Sequence, residues 1–202
     1  MPRSLHIALL AFLLLPAALL TAQAPAASEV QLASVHAAIG NLQSGKLLYR
    51  KNADLSVPIA SVTKLMTAMV ILDSGLSMDE KITVTKADRD LVQLTGSRLE
   101  YGATLSREQM IMLAVMSSEN RAAAALGRTF PGGMDAFVAA MNRKARELGM
   151  QNSRFADPAG LHVENQSTAA DLARMVDAAQ DYPLIRKAST TTRYEVRPYK
   201  GR

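Results

Sequence analysis

Between Asp54 and Asp73 the only charged side chain is Lys64, and it follows Ser61 by three residues. Residues 61–74 form an almost wholly apolar stretch, too long for an ordinary strand and closed by Gly75, which predicts a buried helix. Residues three apart on a helix are neighbours, with Cβ atoms about 5–6 Å apart, so Ser61 and Lys64 share a face of its first turn. The positive end of the helix dipole and the apolar surroundings both favour an uncharged amine there. A neutral amine beside a hydroxyl is a base beside a nucleophile, and helix N-terminal amides point to where an oxyanion would form. The plainer reading makes Ser61 an N-cap and Lys64 a surface lysine. It calls for a Glu or Gln at the third helical position and a polar outer face, and the sequence supplies neither.

A second group of polar residues, Ser118-Glu119-Asn120, falls between two apolar segments. Taken alone, serines and an asparagine at such a place are ordinary helix-break residues. Taken with Ser61 and Lys64, they supply what an acyl-transfer site lacks. Ser118 can relay a proton toward a leaving amine, and Asn120 can bind a substrate amide or orient Lys64.

The elements that must position these residues follow from periodicity and punctuation. Residues 35–40 and 46–50 read as a β-hairpin across 41–45, and 81–85 as a short strand. Residues 93–104, with two glycines, read as loop. Ser106-Arg-Glu-Gln109 has the form of a capping box and predicts a helix start. Further helices are predicted over 121–128, over 134–148 with Gly149 as its stop, and over 168–179; Pro131-Gly-Gly133 is a break. Residues 190–196 have strand composition. One hairpin and one late strand are too few to close a layer under this many helices.

The 202 residues are 49% hydrophobic and 20% charged, ordinary for one soluble domain. The start differs. Arg3 is followed by a charge-free apolar run over 7–20, short of the roughly 20 residues a spanning helix needs, and then by Ala22-Gln-Ala-Pro-Ala-Ala27. This predicts a signal peptide over 1–26, cleaved after Ala26 and leaving a single domain over 27–202, with cleavage after Ala24 as the second choice. Removing it takes away Arg3 and no acid, so the net charge of +5 falls to +4. There is no Cys, which excludes disulfide staples and thiol chemistry despite export. With 4% aromatics and no Lys/Arg run, nucleic acid is not an expected partner. Mild basicity suits an anionic surrounding such as a cell wall, but plain solubility is the preferred reading.

The combination Ser61-Val-Thr-Lys64 and Ser118-Glu-Asn120 resembles the S-x-x-K and S-D-N motifs of penicillin-binding proteins and class A β-lactamases. The chain is most similar to the low-molecular-mass D-alanyl-D-alanine endopeptidases of the penicillin-binding protein 7 type. The likeness runs from about Val35 to the end, through Pro58-Ile-Ala-Ser-Val-Thr-Lys-Leu-Met-Thr67, Gly96-Ser-Arg-Leu99, Met116-Ser-Ser-Glu-Asn-Arg-Ala-Ala123, Pro131-Gly-Gly133, Leu148-Gly-Met150 and Asp157-Pro-Ala-Gly-Leu161. The resemblance implies an α/β, three-layer fold with helices on an antiparallel sheet, and a covalent acyl-enzyme on Ser61. It further implies peptidoglycan peptide cross-links as substrate, β-lactam antibiotics as covalent inhibitors, and no cofactor. The catalytic residues it implies are Ser61, Lys64 and Ser118, with Asn120 binding substrate. A carboxypeptidase of the same family is the alternative activity.

The departure is that no Lys-Thr-Gly occurs in the sequence, and Lys200-Gly-Arg202 lacks the hydroxyl residue. In the family that motif lines the site opposite the serine. The chain is therefore expected to be incomplete at its C-terminus, and an inert truncated homologue is the non-enzyme reading. A β-lactamase would need a second base; Glu164 is the candidate, but position 168 is Thr where an Asn is wanted, so Glu164 reads as a loop charge. A metal hydrolase is disfavoured because the histidines are only His6, His36 and His162, without an H-E-x-x-H. His36 is expected in a strand with a satisfied ring nitrogen.

Overall fold

The computed structural model describes residues 31–41 and 43–198; apart from Gln31, these belong to one unit, Leu32–Arg202. The expected signal peptide over 1–26 and the start near Ala27 lie outside the described residues.

Strands β1 (Ala37–Gly40) and β2 (Leu47–Lys51) form the expected hairpin, antiparallel with Ala37 opposite Lys51 and Ile39 opposite Tyr49. His36 stands one residue before β1, and its Nδ1 bonds the carbonyl of Asn52 at 3.2 Å. β3 (Val57–Pro58) leads through a 3-10 turn at Ala60–Val62 into α1 (Thr63–Asp73). β4 (Lys81–Thr83) pairs antiparallel with β5 (Thr104–Ser106), Ile82 facing Leu105. Then come α2 (Arg107–Met116), α3 (Asn120–Arg128), α4 (Gly133–Glu147), β6 (Gln166–Ser167), α5 (Ala169–Ala179) and α6 (Pro183–Thr190). β6 pairs back onto β3. The fold is α/β, helices with short antiparallel ladders.

Helix α1 is the centre of the core. It is apolar on every side, so no face of it belongs in water, and α2 to α6 all pack around it. Met66, Ala68, Met69 and Ile71 are wholly buried. Phe137 of α4 is likewise buried and meets Phe130 edge-on, ring centres 5.3 Å apart. The predicted capping box is present: the Gln109 amide donates to Ser106 Oγ at 3.2 Å, and Gln109 Oε1 accepts from the Ser106 amide at 2.9 Å. Arg128, at the end of α3, grips the buried Asp88 with two bonds of 2.7 and 2.9 Å, fixing α3 against the loop after β4.

Two expectations fail locally. Residue 104, expected in a loop, begins β5, a strand of three residues that runs straight into the Ser106 cap and so leaves no alternating pattern to read. Residues 190–196 are not a strand. The hydroxyls of Thr190 and Thr191 donate to the carbonyls of Arg186 and Lys187, at 2.8 and 2.6 Å, which draws Thr190 into the end of α6. The chain then runs on without a ladder beside Leu99, Leu113 and Glu119, where the Thr104 amide donates to the carbonyl of Pro198 at 2.6 Å. Strand composition describes side chains suited to a half-buried surface, and a helix end met that demand here. Among the described residues no helix is long and apolar enough to cross a membrane.

Candidate functional site

The chain approaches Ser61 under close constraint. The β3–β6 pairing fixes Val57 and Pro58, and the Ile59 amide donates to Asn165 at 3.0 Å. Ala60 then turns with φ of 46°, a left-handed conformation that L-residues rarely adopt. Its carbonyl lies against Gly160, where a Cβ would stand only 1.8 Å from the oxygen. Ser61 thus sits in the 3-10 turn ahead of α1, and Lys64 in the first turn of α1 proper.

Lys64 is 2% exposed, and its Nζ lies 2.9 Å from Ser61 Oγ and 2.7 Å from the carbonyl of Ala159. Burial lowers its pKa from 10.5 to about 8, against the opposing pull of the Asp157 and Glu119 carboxylates. A neutral amine here gives one hydrogen to Ala159 and keeps its lone pair for the proton of Ser61. Ser118 completes the group, its hydroxyl donating to Ser61 Oγ at 2.9 Å. Ser118 also has a left-handed backbone, φ 56°, at the junction where the Ser117 and Glu119 amides both return to the Leu113 carbonyl and end α2. Of the four non-glycine residues with positive φ among those described, Ala60, Leu94 and Ser118 all belong to this region. Strain of this kind concentrates where a side chain must be held in one place.

The structure therefore brings Ser61, Lys64 and Ser118 into one hydrogen-bonded chain. Asn120 stands apart from Lys64. Its Nδ2 donates to Thr95 Oγ1 at 2.8 Å, and Thr95 Oγ1 donates onward to Asp90 at 2.7 Å. The other amide atom, Oδ1, is buried without a partner. Of the two roles open to Asn120, orienting Lys64 has no contact to support it.

Several supporting residues carried no signal of their own in the sequence. Asp90 gathers the Thr95 hydroxyl and the amides of Val92, Gln93 and Thr95. Burial raises its pKa, but the Thr95 hydroxyl and these amides overcome that and bring it to about 2. Gln93 reaches the Leu161 carbonyl at 3.2 Å, so loop 90–95 spans from Asn120 to loop 157–165. Glu119, buried, accepts from the hydroxyl of Ser97 at 2.5 Å and from the amides of Arg98 and Arg121 at 3.3 and 3.2 Å. Asp157 organises its loop through four successive amides. An aspartate before Pro-x-Gly signals a turn, but nothing in the linear sequence connects it to Lys64. Glu164, by contrast, is an exposed loop charge as expected, 3.8 Å from His162 Nδ1.

A buried amine paired with a hydroxyl, and a second hydroxyl on the same oxygen, form a serine–lysine pair on an α/β frame of packed helices. The chain belongs to the D-alanyl-D-alanine carboxypeptidase family, peptidase S11, whose profile matches residues 21–200. It is 50% identical over 163 residues to the D-alanyl-D-alanine endopeptidase of Pseudomonas aeruginosa, covering 81% of this chain and 53% of that protein. It is 48% identical over 171 residues to the D-alanyl-D-alanine endopeptidase of Escherichia coli, covering 85% and 55%. The chain spans about half the length of these curated relatives. The crystal structure of the Streptomyces K15 DD-transpeptidase superposes with a TM-score of 0.74 at 29% identity, over 80% of this chain and 66% of the other. The fold is thus of the penicillin-binding-protein kind.

Proposed function

We propose that this chain carries the nucleophilic half of a serine D-alanyl-D-alanine endopeptidase, which opens peptide cross-links of peptidoglycan through an acyl-enzyme on Ser61 and is acylated by β-lactams. The observation that carries the reading is the chain Lys64 Nζ, Ser61 Oγ and Ser118 Oγ, with both spacings 2.9 Å and the amine buried. In this reading Lys64 takes the Ser61 proton as the oxygen attacks a D-alanyl carbonyl. Ser118 carries a proton to the departing amine, and Asn120 Oδ1 receives an N–H of the substrate. Water then attacks the ester, with the same amine as base. The endopeptidase names of the two relatives near 50% identity favour cross-links over a terminal D-alanine. The carboxypeptidase description of the family profile supports the second reading, removal of that terminal residue.

The setting proposed is the periplasm, reached by the cleavable segment over 1–26, with loose association to membrane or wall. Two assays test the proposal. A fluorescent penicillin should label the protein covalently, and Ser61→Ala should abolish the label; retained label in that variant moves the nucleophile elsewhere. Digestion of purified cross-linked muropeptides by a protein that also carries a Lys-Thr-Gly motif should release monomers, and release of free D-alanine alone would instead favour the carboxypeptidase.

A further inference from the structure

Loop 157–165 lies between α4 and α5 and meets the segment that carries the serine–lysine pair at three places. The Ala159 carbonyl accepts from Lys64 Nζ at 2.7 Å, and the Pro158 carbonyl accepts from Thr67 Oγ1, one turn further along α1, also at 2.7 Å. Gly160 presses on the Ala60 carbonyl, next to Ser61. One side chain gives the loop the shape that makes these contacts possible. Asp157 Oδ1 accepts the amides of Ala159 at 2.6 Å, Gly160 at 2.7 Å and Leu161 at 3.3 Å. Its Oδ2 accepts those of Leu161 at 3.0 Å and His162 at 2.8 Å, together with Asn165 Nδ2. Asn165 is wholly buried, and its Oδ1 returns to the amide of Ala156 at 3.0 Å.

We propose that Asp157 is the positioning residue of the Ser61–Lys64 pair, acting twice: through the amides it gathers, which aim the Ala159 carbonyl at the amine, and through its charge, which acts on that amine across the loop. The inference rests on the serine–lysine reading above and extends it. The two effects oppose each other in a useful way. Burial drives the amine toward neutrality, and an unopposed apolar site would leave it too weak a base to take a serine proton. A fixed carboxylate nearby restores part of that basicity. The charge of Asp157 raises the pKa of Lys64, and the Glu119 carboxylate does so to a lesser degree. Other charges face elsewhere. Asp73 at the far end of α1 is paired with Lys144 at 2.8 Å, Asp90 is held by its own loop, and His162 and Glu164 face each other on the outside of loop 157–165. Lys64 is thus a base weakened first by burial, with part of its strength restored by a carboxylate that never touches it.

The test uses the full chain and two readouts. The first is the titration of the Lys64 amine, followed by NMR with carbon-13 lysine and assigned by the signal lost in Lys64→Arg. It does not depend on activity. The second is the rate of labelling by a fluorescent penicillin. The wild-type amine should titrate near 8. In Asp157→Asn and Asp157→Ser, both neutral and both able to cap some of the amides, the midpoint should fall by about 1 pH unit and labelling should slow by about 100-fold. Asn165→Ala loosens the same loop but keeps the charge, so labelling should slow while the midpoint stays. An unchanged midpoint in both neutral variants overturns the proposal. So does an equal fall in Asn165→Ala, or failure of both neutral variants to fold, which would make Asp157 a folding determinant only. Absence of penicillin label on the wild type would instead sink the serine–lysine reading, whatever the titration shows.

Discussion

Each side chain at the site does one thing because its neighbours forbid the alternatives. Lys64 cannot be an ordinary surface cation: it is buried, and its pKa of about 8 leaves roughly a tenth of it neutral at pH 7. The labelling rate by a penicillin should therefore climb with pH through a midpoint near 8, because only the neutral amine accepts the Ser61 proton. A stopped-flow profile from pH 6 to 10 measures this, and a flat profile would leave Lys64 without a role as base. Lys64→Ala should cut the plateau rate by about 100-fold to 10,000-fold, the usual contribution of a positioned base. Gly160 is constrained more severely still. A Cβ placed there would overlap the Ala60 carbonyl at 1.8 Å, and the residue also holds φ of 78°. Gly160→Ala must displace the turn that carries Ser61. We expect labelling to drop at least tenfold and stability to fall by about 2–4 kcal/mol, read from urea denaturation.

At the scale of elements, stability and chemistry can be separated. Ser106 caps α2 far along the chain from Ser61, and losing the cap costs about 1 kcal/mol. Ser106→Ala should lower the unfolding free energy read from urea denaturation by about that amount and leave penicillin labelling at its wild-type rate. The same capping box shows what a sequence reveals well. Ser106 and Gln109 announce the start of α2 because the two reciprocal bonds are local. The buried α1, the hairpin and the Gly149 stop were legible for the same reason, as were Ser61 and Lys64, which one helical turn brings together. Contacts made across many residues left no such trace. β3 and β6 are two residues each and become strands only by meeting one another. Asp157 acts on an amine nearly a hundred positions away, through a loop that its own carboxylate shapes. Asn120 stood out in the sequence beside Ser118, but its partner, Thr95, lies in a loop with no periodicity to read.

For the molecule as a whole, the buried amine couples folding to pH. The unfolded chain holds a lysine proton up to about pH 10.5, and the folded chain releases it near 8. Between those values the unfolded state binds more protons, so stability rises with pH across that window; below 8 both states are protonated and the cost of the buried charge is fully present. The gain is on the order of 2 kcal/mol, after allowance for residual screening. It is best read as the difference between wild type and Lys64→Met, since two other groups have raised pKa values of their own: burial lowers that of Lys144 but Asp73 and Tyr182 outweigh it, and burial raises that of Tyr182, with Lys144 opposing and Asp73 adding to the rise. Lys64→Met should be the more stable protein at pH 7, and its advantage should shrink by pH 10. Equal denaturation curves at both pH values would show that the amine is better hydrated than its burial implies.

Ser118 holds a conformation that glycine adopts freely, and this sets activity against durability at one position. Ser118→Gly relieves a left-handed strain of about 1–2 kcal/mol, while the looser chain gives back about 0.5–1 kcal/mol. Selection for heat resistance alone should therefore favour glycine there, and the variant should melt no lower than the parent. Persistence of serine where activity is also selected measures how much the Ser118 hydroxyl, hydrogen-bonded to Ser61, is worth. In a library enriched only by thermal challenge, glycine at 118 should accumulate; in one enriched by penicillin labelling, it should disappear.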